Sequence, residues 1–329
     1  MCGIAGAIFK QPIKNKSKLV DTLVDLTICT EVRGTHATGI VVINKVSNGL
    51  TTATPVSKMP LKASEYMPNQ GRKFLNNFID KNTWAVITHC RFGTHGSEQD
   101  NRNNHPIRVG NVVGVHNGVI NNHHALGDKY GRNAEVDSEV IFSSLMARRD
   151  LNHQAFVQTM NELRGSAVVV AVQDKQPISK LYIGIKNNPM SLITQNDEEI
   201  TWLASTKDIL IKGLKGLDNA DIDYENMCEM LNLTSREFTV DSVKLEWWKH
   251  SKKLLLERFS SFSGGSPNLL LDRQFIMRKP MPRPTYQLNT DYIKIDDQVL
   301  DLIDELEDED ESQFYGGKQF KLNDDFFIN

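Results

Sequence analysis

The run from 166 to 173, Ser-Ala-Val-Val-Val-Ala-Val-Gln, is the strongest β-strand signal in the chain. A short run rich in β-branched residues is typical of a strand buried in a sheet. Further strands are predicted at 3–9, 40–44, 84–88, 112–116, 181–185 and 201–204, and helices at 18–32, 71–81 and 136–149. Strands and helices therefore alternate up to about residue 248, which predicts a fold that mixes helices with β-sheet.

The composition of the 329 residues excludes several classes of protein. Hydrophobic residues make up 40% and charged residues 24%, which is ordinary for a globular chain and too apolar for a wholly disordered one. A formal net charge of −3 is too balanced for a general nucleic-acid coat. No apolar run reaches the length of a membrane span. We therefore expect one sizeable core that binds neither nucleic acid nor membrane.

The cysteines and the N-terminus indicate the cytoplasm. Cys2, Cys29, Cys90 and Cys228 form no CxxC pair, so neither a disulfide scaffold nor a zinc ribbon is expected. The apolar run at 3–9 has no basic segment before it, which is the wrong order for a secretory signal. We expect a cytoplasmic protein with reduced thiols.

The sequence changes character after a predicted catalytic domain at 1–248. Residues 249–290 form a basic segment rich in Pro, Gly and Ser, in which closely spaced prolines oppose a regular helix, and we interpret it as a linker. Residues 291–329 form an acidic tail with one apolar stripe at helical spacing. The positions of that stripe are Val299, Leu302, Ile303 and Leu306. The tail is either a solvated helix that docks on the core or a segment that binds a partner.

Cys2 is the first residue that suits catalysis. Removal of Met1 leaves a residue that carries both a thiol and a free α-amine, and a small second residue is compatible with that removal. The usual pKa values of these groups are about 8.5 and about 7.7–8.0. One residue then supplies a nucleophile and its general base. A cysteine at position 2 is by itself usually inert, so a catalytic role for Cys2 depends on the other candidate residues in the sequence.

Two loops carry arginines that suit a site around such a thiol. Arg33 and Gly34 follow the helix predicted at 18–32, and a permanent positive charge there favours a thiolate. Arg91 follows the strand predicted at 84–88, and its planar fork is suited to a carboxylate. Each loop also has a plainer interpretation as a surface turn.

Asn117, Gly118 and Asp137 each have a structural and a chemical interpretation. An Asn-Gly pair after a strand predicts a turn, or else an oxyanion hole formed by the Asn117 side-chain amide and the Gly118 N–H. Asp137 suits the N-cap of the helix predicted at 136–149, or a carboxylate that holds a substrate ammonium group. Arg91 and Asp137 together would recognise a zwitterion, and an α-amino acid is such a molecule.

Six short segments carry a family resemblance through their order and spacing. The segments are Cys2-Gly3-Ile4, Arg33-Gly34 with Ala37-Thr38-Gly39, His89-Cys90-Arg91-Phe92-Gly93-Thr94-His95-Gly96, Asn104-His105-Pro106, His116-Asn117-Gly118 and Asp137-Ser138-Glu139-Val140. They resemble the glutaminase domain of class II glutamine amidotransferases, which are N-terminal-nucleophile hydrolases. Within that family, their residues are most similar to those of the glutaminase half of glucosamine-6-phosphate synthase. The resemblance implies an α+β fold, a four-layer αββα sandwich with two mostly antiparallel sheets.

The resemblance also implies a reaction. Cys2 attacks the side-chain amide of L-glutamine with its own α-amine as base, and a γ-glutamyl thioester and ammonia result. Asn117 and Gly118 form the oxyanion hole. Substrate binding is implied for Arg91, Thr94, His95 and Asp137, and supporting roles for Arg33, Gly34, Phe92 and His116. Neither a metal nor a cofactor is implied.

The chain departs from that family at Phe92 and in the length of its C-terminal region. Synthase-type sequences usually have a gating Trp where Phe92 stands, and Phe keeps an apolar gate without the indole N–H. Only about 80 residues come after residue 248, too few for a sugar-isomerase region. We therefore expect a glutaminase subunit that supplies ammonia for an acceptor handled by a separate synthase partner. The alternatives are an amidohydrolase that acts on another amide, and a catalytically silent fold that serves as a binding module.

Overall fold

The computed structural model covers the predicted catalytic domain. It describes residues 1–247 with the exception of 48–51, 196–199, 218–226, 231, 233 and 240–242. The linker predicted at 249–290 and the tail predicted at 291–329 lie outside the described residues.

Two antiparallel β-sheets form the centre of the fold. The strands of the first sheet, in spatial order, are β11 (Cys228–Glu229), β9 (Ser191–Gln195), β10 (Ile200–Ala204), β1 (Gly3–Phe9), β4 (Thr83–Arg91), β2 (Ala37–Asn44) and β3 (Val56–Met59). Those of the second are β13 (Val243–Trp247), β12 (Thr234–Thr239), β8 (Lys180–Lys186), β7 (Gly165–Gln173), β6 (Val112–Ile120) and β5 (Ile107–Val109). The N-terminal strand β1 therefore lies inside the first sheet, between β10 and β4.

Helices cover the outer face of each sheet. They are α1 (Lys16–Thr30), α2 (Ala63–Tyr66), α3 (Arg72–Phe78), α4 (His123–Tyr130), α5 (Glu139–Ala147), α6 (His153–Glu162) and α7 (Lys207–Gly213). One apolar cluster fills the space between the sheets, where Ile4 and Ile87 of the first join Val115 and Val170 of the second. A second cluster joins the first sheet to α1, α2, α3 and α7, and a third joins the second sheet to α4, α5 and α6. The predicted four-layer αββα sandwich is confirmed.

The helix α1 illustrates how the sequence sets these layers. Its N-cap is Asn15, whose side chain accepts a hydrogen bond from the Lys18 N–H at 3.0 Å. Leu19, Leu23 and Leu26 lie at helical spacing and are buried against the first sheet. None of the helices in the described part of the chain has the length and hydropathy of a membrane span.

Two local predictions are wrong, and both concern the site. Asn117 and Gly118 do not form a turn, because β6 continues to Ile120 and pairs with the valine-rich β7 over its whole length. Asp137 is not the N-cap of α5, since Ser138 holds that position. The Asp137 carboxylate instead accepts a hydrogen bond from the Ile120 N–H at 2.7 Å, which joins the start of the helix to the end of β6.

Candidate active site

Cys2 lies immediately before β1, beside the end of β4. Gly3 pairs with Cys90, and the Phe92 N–H donates to the Cys2 Sγ at 3.3 Å. Burial raises the pKa of the Cys2 thiol, although the Phe92 hydrogen bond and the Arg91 charge act in the opposite direction. The thiol is therefore mostly protonated at neutral pH, and nucleophilic chemistry there requires a base.

Arg33 and Gly34 hold the main chain of this corner. Arg33 ends the 3₁₀ turn that follows α1, and its Nε donates to the Cys2 carbonyl oxygen at 2.9 Å. A Cβ on Gly34 would lie 2.4 Å from the Arg91 carbonyl carbon, so a glycine is needed for this close approach. The predicted Arg-Gly loop therefore lies against both Cys2 and the end of β4.

Phe92 lies at the surface next to the thiol. Its side chain is 45% exposed and stacks on the His36 ring, with ring centroids 5.2 Å apart. The His36 Nδ1 accepts a hydrogen bond from the Gly93 N–H at 2.9 Å. A surface depression of about 350 Å³ adjoins this pair and is lined by Met1, Glu31, Val32, Arg33, Gly34, Thr35 and Phe92.

Arg91 is a buried cation whose contacts are all to uncharged oxygens. Its side chain is only 2% exposed at the end of β4. The Nη2 donates to the carbonyl oxygens of His95 and Gly96 at 2.6 and 2.7 Å, and the Nη1 donates to the Asn104 Oδ1 at 3.1 Å. A guanidinium has five N–H groups, so these contacts leave donors for an anion. Burial lowers the pKa of Arg91, and the charges of Cys2, Glu98 and Asp137 oppose that shift.

Thr94 and His95 lie on the loop whose carbonyls hold Arg91. Thr94 is exposed, and its Oγ1 lies 3.2 Å from the His95 Nδ1. The His95 ring packs edge-on against His123, with centroids 5.0 Å apart. Thr94 therefore faces solvent, while His95 is half-buried against His123.

Asn117 has a fully buried side-chain amide that the protein leaves unused. Its Nδ2 and Oδ1 have no hydrogen-bond partner among the described residues, although its main-chain oxygen accepts from the Asn188 Nδ2 at 3.0 Å. Buried polar groups are nearly always bonded, so this amide has hydrogen-bonding capacity that the described residues do not use. Gly118 beside it has a φ of 151°, and a Cβ there would lie 1.9 Å from the Ser166 oxygen, so only a glycine fits.

His116 and Asp137 are joined through the Ser138 hydroxyl. The Ser138 Oγ lies 2.8 Å from the His116 Nδ1 and donates to the Asp137 Oδ1 at 3.3 Å. Asp137 is 2% exposed, and its charge raises the pKa of the Cys2 thiol. The structure thus brings the predicted ammonium-binding carboxylate close enough to affect the proposed nucleophile.

Two buried histidines, His89 and His105, connect the sheets. The His89 Nε2 lies 3.0 Å from the His116 carbonyl oxygen, which links β4 to β6. The His105 ring packs at a tilt against that of His89, with centroids 4.2 Å apart, and its Nε2 lies 3.2 Å from the Ser138 Oγ. Burial lowers the pKa of His89 to about 3 and that of His105 well below its usual range, so both rings are neutral. The motifs at 89–96 and 104–106 contain these histidines, but only the fold shows their contact.

The histidines do not form a metal centre. In the ranges that the structure describes, no group of three or more His, Cys, Asp or Glu side chains is arranged to hold a metal ion. The arrangement offers instead a thiol, a buried cation and a buried carboxylate that act on one another, with the unpaired Asn117 amide beside His116 on β6. A thiol can serve as a nucleophile, an amide N–H as a donor to an oxyanion, and opposite charges as binding groups for a zwitterion.

Comparisons with known proteins agree with this fold. No model of a protein family matches the chain. A glutamine–fructose-6-phosphate aminotransferase (isomerizing) of Sulfurisphaera tokodaii is 29% identical over 201 residues, which cover 58% of this chain and 31% of that protein. A 7-cyano-7-deazaguanine synthase of Sulfolobus acidocaldarius is 26% identical over 218 residues, which cover 63% of this chain and 44% of that one.

A solved structure has the same fold. The glutamine phosphoribosylpyrophosphate amidotransferase of B. subtilis superposes with a TM-score of 0.55 at 15% identity, over 75% of this chain and 49% of that one. The two proteins therefore share a fold. The predicted resemblance to the class II glutamine amidotransferases is confirmed. The chain spans less than half of the length of the curated relatives it matches.

Proposed function

We propose that this protein is the glutaminase component of a glutamine amidotransferase. It releases ammonia from the side-chain amide of L-glutamine through a thioester on Cys2, and a separate synthase uses that ammonia. The observation that carries the proposal is the corner itself, where the Cys2 Sγ accepts the Phe92 N–H beside the buried Arg91 guanidinium. The relatives with glutamine in their names support the choice of substrate.

The nucleophile needs a base, and its own α-amine is the group within reach. Burial raises the pKa of the Cys2 thiol, so a thiolate does not form without help. Loss of Met1 turns the Cys2 nitrogen into a free amine whose usual pKa is about 7.7–8.0. The Arg33 hydrogen bond to the Cys2 carbonyl then holds the residue whose amine takes the proton. The proposal therefore requires a mature chain that begins at Cys2.

The oxyanion forms when the thiolate adds to the amide carbon. The unused Asn117 Nδ2 and the Gly118 N–H are the donors for that oxygen. One such donor typically contributes about 2.7–4 kcal/mol to stabilisation of the transition state. The unusual φ of Gly118 orients the main chain at this point.

The two ends of glutamine are bound by opposite charges. The Arg91 guanidinium has N–H groups left for the α-carboxylate, and the Asp137 carboxylate receives the α-ammonium group. Both charges act on the Cys2 thiol, which supports a single pocket for all three groups. Thr94 and His95 line the pocket from the surface loop, while Phe92 and His116 flank the reacting groups.

The proposed reaction accounts for every proton and bond without a cofactor. The thiol proton passes to the α-amine, the sulfur bonds to the amide carbon, and collapse of the oxyanion expels ammonia that takes up the proton. Water then adds to the γ-glutamyl thioester with the same amine as base, which gives glutamate and restores the thiol.

Glutamate release from L-glutamine tests this proposal. We expect turnover by the protein with Met1 removed and a loss of at least about a thousand-fold in Cys2→Ala, because no other group replaces the nucleophile. Cys29→Ala is the matched control, since Cys29 is also a partly buried free cysteine, and it should retain full activity. Equal turnover by Cys2→Ala would show that the nucleophile is elsewhere. A folded protein without turnover, or turnover of another amide in preference, would favour the silent fold or the other amidohydrolase.

A further inference from the structure

Asn104 completes the surroundings of the Arg91 guanidinium. The residue is fully buried, and its Oδ1 accepts from the Arg91 Nη1 at 3.1 Å. Its Nδ2 donates to the Glu98 carbonyl oxygen at 2.7 Å, and its own carbonyl accepts from the Lys58 Nζ at 2.6 Å. Because a guanidinium is planar, an acceptor fixed on one nitrogen sets the direction of the remaining N–H groups.

Asn103 makes the corresponding contacts toward Asp137. It is also fully buried, and its Oδ1 accepts from the main-chain N–H groups of Glu135 and Val136 at 2.9 and 3.2 Å. Its Nδ2 donates to the Ser97 carbonyl oxygen at 3.0 Å. The segment that leads directly to Asp137 is thereby tied to the loop after β4.

The middle of the loop between Arg91 and this asparagine pair is held by hydrogen bonds. The carbonyl oxygens of residues 95–98 are consecutive, and each accepts a hydrogen bond from one of three buried side chains. Those side chains are Arg91, Asn103 and Asn104. A Cβ on Gly96, which has a φ of 72°, would lie 2.6 Å from the Asn103 amide, so the loop packs directly on it. The two adjacent amides thus connect the proposed carboxylate end of the pocket to its ammonium end.

We propose that Asn103 and Asn104 are positioning residues that fix the separation of Arg91 and Asp137, so that binding requires an α-carboxylate and an α-ammonium group together. The proposal rests on the proposed function and names what selects the substrate there. Neither amide is placed on the reacting atoms. Asn104 acts through the guanidinium and Asn103 through the segment before Asp137.

The experiment compares the KM of L-glutamine with the inhibition constants of two truncated amides. Glutaric acid monoamide lacks the ammonium group, and 4-aminobutanamide lacks the carboxylate. Asn104→Asp has nearly the same shape but places a carboxylate on the Arg91 guanidinium, where it competes with that of the substrate, and it also removes the donor to the Glu98 carbonyl oxygen. We expect the KM of L-glutamine to rise about ten-fold with kcat within two-fold, and the inhibition constant of 4-aminobutanamide to stay unchanged.

Asn103→Ala should produce the complementary pattern. It releases the segment before Asp137, so the KM of L-glutamine rises by a similar factor while the inhibition constant of glutaric acid monoamide stays unchanged. Gln99→Ala is the matched control, because Gln99 is an exposed residue of the same loop, and it should alter none of these constants. If Asn103→Ala does not fold, the KM and inhibition constants of Asn104→Asp alone test the positioning role.

Two results would overturn the positioning role while the wild type is active. One is an equal weakening of all three amides, which is the mark of a general structural defect. The other is an unchanged KM in folded Asn104→Asp. A wild type that releases no glutamate and is not alkylated at Cys2 would refute the proposed function itself, and this inference with it.

Discussion

Arg33 donates from its Nε to the carbonyl oxygen of Cys2 at 2.9 Å, so a side chain 31 positions away holds the main chain of the proposed nucleophile. From the sequence, Arg33 is a nearby charge that favours a thiolate. The hydrogen bond in the structure is to the backbone, while the charge of Arg33 also interacts with the Cys2 thiol, as do those of the chain N-terminus, Arg91 and Asp137. Arg33 therefore fixes the position of Cys2.

Arg33→Ala tests this anchoring. We expect kcat for glutamine hydrolysis to fall about ten-fold with little change in KM, because the attacking sulfur loses its fixed approach while the groups that bind substrate remain. Arg72→Ala is the control, since Arg72 pairs with Asp21 at the surface, and it should leave both constants unchanged. A rise in KM alone would place Arg33 in substrate binding.

Gly118→Ala tests the backbone of β6 at the proposed oxyanion hole. The added Cβ meets the Ser166 oxygen at 1.9 Å and the φ of 151° is strained for alanine, so we expect a loss of about 3 kcal/mol or more in the free energy of unfolding. Gly216→Ala should change it by less than about 0.5 kcal/mol, because a Cβ there meets nothing within 4 Å. Urea titrations of both variants measure the free energy of unfolding. Equal midpoints would contradict the tight pairing of β6 with β7.

Asp137→Asn separates the charge of this residue from its structural hydrogen bond. The asparagine oxygen keeps an acceptor for the Ile120 N–H, so the melting temperature should change little. The substrate ammonium group loses its counter-charge, and we expect the KM of L-glutamine to rise at least about ten-fold. Steady-state kinetics measure this. An unchanged KM would remove Asp137 from the substrate pocket.

The stability of the fold should decrease in mild acid because buried histidines must stay neutral. The pKa of His89 is lowered from 6.5 to about 3, so between these values the unfolded chain binds a proton that the folded chain does not. The free energy of unfolding therefore falls with decreasing pH in that window, by about 1.4 kcal/mol per pH unit for this one group. His105 and His116 contribute in the same direction.

A pair of histidine variants checks the assignment. His89→Gln keeps a donor for the His116 carbonyl but does not titrate, so its stability should fall less steeply than that of the wild type between pH 6 and pH 4. His124→Gln changes an exposed ring and should follow the wild type. Identical slopes for all three proteins would mean that His89 is not buried neutral.

The sequence predicts the central strands of the two sheets well and the strands at the sheet edges poorly. Strands with long apolar runs, such as β1 and β7, are confirmed because burial in a sheet requires that pattern. The short strands β3, β5, β9, β11, β12 and β13 and the helices α2, α4, α6 and α7 are missed. Most of those strands lie toward sheet edges, where pairing with a neighbour and not hydrophobicity decides the conformation.

Some residues of the candidate site are likewise predictable from the sequence, and others are not. Cys2, Arg91 and Asp137 stand out because their residue types suit the chemistry, and the fold gathers them at one corner. The positions of Asn117 and Gly118 inside a strand are not visible in the sequence, since Asn-Gly is also a strong turn signal. The contacts of Asn103 with residues more than 30 positions away depend entirely on the tertiary fold.

The central claim is that Cys2 is the N-terminal nucleophile of a glutamine site, and the mass of the intact protein tests it most directly. The protein is incubated with 6-diazo-5-oxo-L-norleucine, a glutamine analogue that alkylates a nucleophile in the pocket, and the modified residue is located by peptide mapping. We predict a mass that lacks Met1 and carries one adduct on Cys2, with none in Cys2→Ala and with protection by L-glutamine. A folded protein that retains Met1, or that reacts at Cys29, Cys90 or Cys228 in place of Cys2, would contradict the claim.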